Sequence, residues 1–190
     1  MRLFPRVISE SEAPYGGGRV RVLAPEVAHR IAAGEVIQRP ASAVKELVEN
    51  ALDAGATRVE VEIEGGGIRL VRVRDDGSGM SAQDARRSVG RHATSKISSA
   101  EDLARVLSLG FRGEALHAIS SVSALTLTTG QRGALPGTSA TRVRLFAGGP
   151  AEVSPASHPA GTTVEARDLF LNLPVRQGFL GTERAEANAD

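Results

Sequence analysis

Glu46, Asn50 and Asp53 stand at i, i+4 and i+7 in a stretch that opens at Pro40 and stops at Gly55. At ~100° per residue, the three fall within about a 60° sector of a helix. A carboxylate and an amide one turn apart can address the same ligand. Asn offers a neutral oxygen to Mg²⁺, and Glu can take a proton from water. Alone, this face reads better as an ordinary solvated helix surface. A second group, Asp75-Asp76-Gly77-Ser78-Gly79, follows a run with strand alternation. In that register Asp75 shares a face with Val71 and Val73 and points inward. A buried carboxylate needs a donor, and the exocyclic amine of adenine is one. Gly77 and Gly79 would let the backbone approach a flat base. The same five residues also suit a plain turn.

A third group is Ala93-Thr94-Ser95-Lys96, followed by Leu109-Gly110-Phe111-Arg112-Gly113-Glu114-Ala115-Leu116. Glycines beside a helix start expose backbone N–H groups to an anion, and a lysine adds a point charge on a phosphate. Of 23 basic residues only Lys45 and Lys96 are lysines, which singles out the second. No GxxxxGK[ST] is present, and no GxGxxG joins a strand to a helix. A helix C-cap at Gly110 and a surface lysine remain open readings. The fourth group is Gly161-Thr162-Thr163 at a strand start, where a hydroxyl could support Asp75 or a bridging water. Alone, these are as well read as β-branched strand residues.

The elements that must position these groups follow from periodicity. Pro40 and Ser42 are start signals for a helix that Gly55 ends. Its apolar stripe is Val44, Leu47, Val48, Ala51 and Leu52, with the polar triad opposite. Arg58–Glu64 and Ile68–Arg74 alternate as strands around a Gly65-Gly66-Gly67 turn, with a slip at Leu70-Val71 that predicts a bulge. Short helices are expected over Glu26–Ala33, Ala82–Val89 with Ser81 as cap, and Ala100–Leu109, and another opens at Gly113 towards Ile119. Strands are expected over Ala124–Thr129, Thr141–Phe146 and Thr162–Arg167. This order predicts an α+β, two-layer sandwich: a mixed, mostly antiparallel sheet with helices on one face. Residues 1–22 read as a flexible arm, 23–180 as one domain, and 181–190 as a tail.

Composition narrows the function classes. The 190 residues are 41% hydrophobic, enough for a core, and include no cysteine, so disulfides and thiolate metal sites are excluded. A net charge of +1 and the absence of tryptophan give no case for nucleic-acid binding by bulk charge or base stacking. No apolar run approaches the ~18 residues of a membrane span, and the N-terminus has no apolar core of a signal peptide. A cytoplasmic location without membrane contact is expected. His29, His92, His117 and His158 lack metal spacing.

Each group is weak alone, but their order is specific. ExxxN on a helix, DxGxG after a strand, a glycine-rich stretch and then GTT is the motif order of the GHKL ATPases. The strings IAAGEVIQRPASAVKELVENALDAG (31–55), RHATSKI (91–97) and LGFRGEAL (109–116) resemble the MutL-type DNA mismatch repair branch. The resemblance runs from about Leu23 to Phe179 and implies the GHKL, or Bergerat, ATP-binding fold.

The resemblance implies ATP and Mg²⁺ as cofactors and assigns roles position by position. Glu46 matches the residue that activates water, and Asn50 the Mg²⁺ ligand. Asp75 matches the residue that reads the adenine amine, assisted by Thr162. Asp53, Gly77, Gly79 and Met80 line the nucleotide pocket. Thr94, Ser95, Lys96, Gly110, Phe111, Arg112 and Gly113 fall in the lid over the phosphates. ATP then orders lid and arm and drives homodimerisation, coupling a MutS-type mismatch-recognition protein and DNA to later repair. Three departures stand out: little sequence follows Phe179, where relatives carry a second domain with a phosphate-reaching lysine; Gly178 replaces an expected lysine in NxPxRxKF; and the arm before Leu23 is long. A fragment that binds nucleotide and turns it over poorly is therefore expected. A topoisomerase or chaperone ATP domain, a histidine kinase core and a switch module without turnover are the alternatives.

Overall fold

The protein is described here by a computed structural model, over residues 36–90, 114–135, 138–173 and 177. Helix α1 spans Pro40–Asp53. Pro40 occupies its first turn, where a missing N–H costs nothing. The N-cap is Arg39, which makes no side-chain cap bond, so Ser42 lies inside the first turn and is not the cap. At the other end Gly55 takes φ +68. Its N–H bonds Leu52 O at 2.9 Å and Ala56 N–H bonds Ala51 O at 3.1 Å, a Schellman closure.

The chain then forms β1 (Val59–Glu64), a 3₁₀ turn over Gly65–Gly67, and β2 (Leu70–Asp75). The β1–β2 register runs unbroken from Val59↔Asp75 to Glu64↔Leu70. The expected bulge is absent: Leu70 and Val71 are both buried, but on opposite faces of a regular strand. Helix α2 (Ala82–Ser88) is capped by Ser81, whose Oγ accepts from Asp84 N at 3.1 Å. Helix α3 spans Ala115–Ser121, two residues later than the Gly113 start expected. Strands β3 (Ala124–Gly130), β4 (Ala140–Phe146), β5 (Glu152–Ala156) and β6 (Gly161–Arg167) complete the described elements. The sequence reading omitted β5. Its Pro155 is tolerated because β5 is an edge strand.

The six strands lie in the order β1-β2-β6-β3-β4-β5, and all five pairings are antiparallel. The α+β two-layer expectation holds, with no parallel pair among the described strands. One face is apolar: Val71, Val73, Ala166, Val164, Leu125, Leu127, Leu145 and Val143 pack into one core with Ala43 and Leu47 of α1 and Ile119 of α3. The opposite face is ionic. Arg72 bridges Glu62 and Glu165, the latter at 3.0 Å.

Register continues the inner face into a polar last row. Asp75, Thr162, Thr129 and Thr141 are successive cross-strand partners on β2, β6, β3 and β4. The apolar floor therefore ends in one carboxylate and three hydroxyls.

Candidate nucleotide site

Helix α1 contributes Glu46, Asn50 and Asp53. Its buried positions are Pro40, Ala43, Leu47 and Ala51, while Leu52 is 52% exposed. The buried stripe is thus turned away from Leu52 and towards the polar triad. At ~100° per residue its centre lies about 95° from the triad, not opposite it. Glu46 and Asn50 are half-buried and Asp53 is exposed. Glu46 and Asn50 therefore lie along the seam where helix meets sheet, and Asp53 lies at its solvent end. A solvated face would put all three in water.

The helix end is tied to the DxGxG loop. Ser78 N–H donates to Ala54 O at 2.9 Å. Gly77 is needed here because a Cβ would press on Ala54 Cβ at 2.8 Å. Gly79 takes φ +62, and a Cβ there would overlap the Gly130 carbonyl oxygen. Both glycines were expected to admit a base. In the described structure, what approaches them closely is protein: the end of α1 at Gly77 and the end of β3 at Gly79. Arg132 closes the far side, donating its N–H to Ser78 O at 2.8 Å and its Nη2 to Asp76 O at 2.5 Å.

Asp75 points inward, as its phase predicted. Its Oδ1 accepts from Gly77 N at 2.8 Å and from Thr162 N at 3.2 Å. Burial pushes its pKa up from the ordinary carboxylate value. The two backbone bonds and, more weakly, His158 pull it down, while the Asp76 charge adds to the rise. Asp76 points the other way. It accepts from Thr57 N at 2.7 Å, Thr57 Oγ1 at 2.6 Å and Arg58 N at 2.8 Å. Those bonds lower its pKa to about 2. Two adjacent aspartates thus do opposite work: Asp76 locks the loop and Asp75 faces the interior.

Thr162 is buried, and its Oγ1 lies 3.0 Å from Thr129 Oγ1. Met80 N–H donates to Thr129 Oγ1 at 3.0 Å. Thr129 and Asp76 were not singled out from sequence. The inward phase of Leu125, Leu127 and Thr129 was the available signal for the first. A bare second Asp in a turn carries none. Thr94, Ser95, Lys96, Gly110, Phe111, Arg112 and Gly113 lie outside the described residues, as do the helices expected over Glu26–Ala33 and Ala100–Leu109. Among the described residues no group of three or more His, Asp and Glu is placed to hold a metal ion. No described helix is long and apolar enough to cross a membrane.

Residues 38–146 match the family described as histidine kinase-, DNA gyrase B- and HSP90-like ATPase. The chain is 54% identical over 171 residues to the DNA mismatch repair protein MutL of Pseudomonas fluorescens (strain SBW25), covering 90% of this chain and 26% of that protein. It thus spans about a quarter of the length of the curated relatives it matches. Among solved structures it resembles the Aquifex aeolicus MutL ATPase domain complexed with ADP, with TM-score 0.57 and 39% identity, over 80% of this chain and 51% of that one. It also resembles the N-terminal domain of a DNA repair protein, with TM-score 0.64 and 35% identity, over 82% of this chain and 44% of that one. A family match across more than half the chain, joined to a polar row at the sheet end and a helix that carries its Glu and Asn along the seam, leads to one conclusion: the chain belongs to the histidine kinase-, DNA gyrase B- and HSP90-like ATPases, in their MutL mismatch repair branch.

Proposed function

We propose that this chain binds ATP between α1 and the polar row of the sheet and is the hydrolytic core of a mismatch repair protein. The observation that carries the reading is Asp75: a part-buried carboxylate, held through one oxygen by two backbone N–H groups. Its other oxygen has no hydrogen-bond partner among the described residues. An acceptor held in place by its partner oxygen and left open on this side is ready for a donor from a ligand, and the adenine amine supplies it. The solved relative complexed with ADP supports the same ligand class.

Glu46 is the proposed general base and Asn50 the proposed metal-side ligand, with Asp53, Gly77, Gly79, Met80 and Thr162 around the nucleotide. Mg²⁺ favours oxygen ligands and keeps several waters, with phosphates completing its shell. One amide oxygen beside one carboxylate fits that demand, and it needs no dedicated acidic cluster. Bound there, the ion would neutralise phosphate charge. Glu46, one turn away on the same half-buried face, takes the proton from the attacking water. The phosphate contacts are assigned by resemblance to Thr94, Ser95, Lys96 and the Gly110–Gly113 stretch. ATP-driven homodimerisation, exchange with a MutS-type partner on DNA, and a cytoplasmic location follow from the branch and belong to the same proposal.

Calorimetric titration with a non-hydrolysable ATP analogue, with and without Mg²⁺, tests it. Magnesium-dependent binding is the expected result. Absence of binding to this chain under both conditions would remove the reading.

A further inference from the structure

The polar row holds a threonine with no role so far. Thr129 on β3 is fully buried, and its Oγ1 has three polar neighbours. They are Met80 N at 3.0 Å, the Gly161 carbonyl oxygen at 3.0 Å and Thr162 Oγ1 at 3.0 Å. A hydroxyl carries one proton and two acceptor sites. Met80 N–H can only donate, so it takes one acceptor site. The Gly161 carbonyl can only accept, so it takes the proton. Were the proton turned to Thr162 instead, two oxygen lone pairs would face each other at 3.0 Å inside the protein. The remaining acceptor site therefore meets Thr162, whose hydroxyl must be the donor. Protons run one way along the row, from Thr162 to Thr129 to Gly161.

This order commits the only hydroxyl proton of Thr162. Its backbone N–H is also committed, to Asp75 Oδ1 at 3.2 Å. Towards a ligand, Thr162 and the Asp75 carboxylate then offer lone pairs alone. An amine meets that surface with two N–H donors. A carbonyl brings lone pairs against lone pairs.

We propose that Thr129 is a positioning residue for base selection: by fixing the Thr162 hydroxyl as an acceptor, it makes the site take 6-amino purines and reject 6-oxo purines. The inference rests on the reading of Asp75 and Thr162 as the base site. It predicts that a Thr129 variant changes preference between bases, not only affinity.

The test is calorimetric titration of the 190-residue chain with ATP and with inosine triphosphate, which differ at the 6-position. Wild type, T129V and T129S are compared, with melting temperatures recorded. Wild type should prefer ATP. T129V removes the hydroxyl at nearly constant volume and frees Thr162 to turn its proton towards an oxo group. The ATP preference should fall about tenfold, the worth of one hydrogen bond, and T129S should restore it. A T129V that weakens both nucleotides equally, with the ratio kept, would make Thr129 a mere brace for the Met80 backbone and overturn the proposal. Should T129V fail to fold, T162V serves: an unchanged ratio there overturns it too. A wild type that binds neither nucleotide, or both equally, overturns the base-site reading and this inference with it. A wild type that prefers ATP beside a T129V that keeps that preference overturns only the role of Thr129.

Discussion

At the scale of single residues, two carboxylates carry the proposed chemistry, and their environments separate their roles. Glu46 is half-buried on the seam of α1. Glu46→Ala should keep nucleotide binding and cut turnover by a factor of ~10²–10⁴, as loss of a general base does. Single-turnover hydrolysis beside a binding isotherm checks this in the longest chain that hydrolyses ATP; equal turnover would remove Glu46 from the role. Asp75 is held above the ordinary carboxylate pKa by burial. A carboxyl raised on folding favours the protonated fold, so its contribution is present at low pH and lost as pH rises through the raised value. At neutral pH the Asp75 charge thus lowers stability, as its proposed binding role allows. Asp75→Asn should melt higher than wild type at neutral pH and bind ATP more weakly. Thermal melts and titration read the two separately; unchanged ATP affinity would take the adenine role away.

At the scale of elements, the junction of α1, the DxGxG loop and β6 decides whether those residues meet. Asp76 is the lock, bonded to Thr57 and Arg58. Its pKa falls from 3.8 to about 2 on folding, so its stabilisation is full above the ordinary value and lost as pH drops through about 2. Asp76→Asn should therefore flatten the loss of stability between those two pH values, which denaturation at a series of acid pH values would show. A slope equal to wild type would mean that the lock is not built on charge. Gly79→Ala is the backbone counterpart. It meets both a positive φ and the Gly130 carbonyl, so it should destabilise by more than ~1 kcal/mol. The spacing of this junction is legible in the sequence: helix, strand phase and the inward Asp75 all follow from local periodicity. What crowds Gly77 and Gly79 is not legible, because Ala54 and Gly130 are distant in sequence and only strand pairing brings them there.

At the scale of the whole molecule, one antiparallel sheet buries one face, and the proposed site is the polar end of that face. The core and the site share strands, so core damage reaches both. Leu127→Ala on β3 removes a fully buried side chain two residues from Thr129. It should cost about 2–5 kcal/mol and lower the melting temperature. Urea denaturation measures this, and a loss under 1 kcal/mol would show that the core relaxes around the cavity.

Much was settled by local pattern alone. Helical and strand periods, the glycine stop at Gly55 and the Ser81 cap depend on neighbours within a turn or two, so they could be read directly. The motif order likewise belongs to the linear chain and sufficed to indicate the ATPase branch. Three features waited for tertiary structure. The buried stripe of α1 turned towards Glu46 and Asn50 because the sheet lies on that side, which helical phase cannot know. Leu70-Val71 needed no bulge because both faces of β2 are covered at that point. Thr129 joined the site because β3 pairs with β6, across 33 residues of chain. Short-range chemistry is written in the order of residues, whereas a row of hydroxyls across strands exists only once the register between them is made.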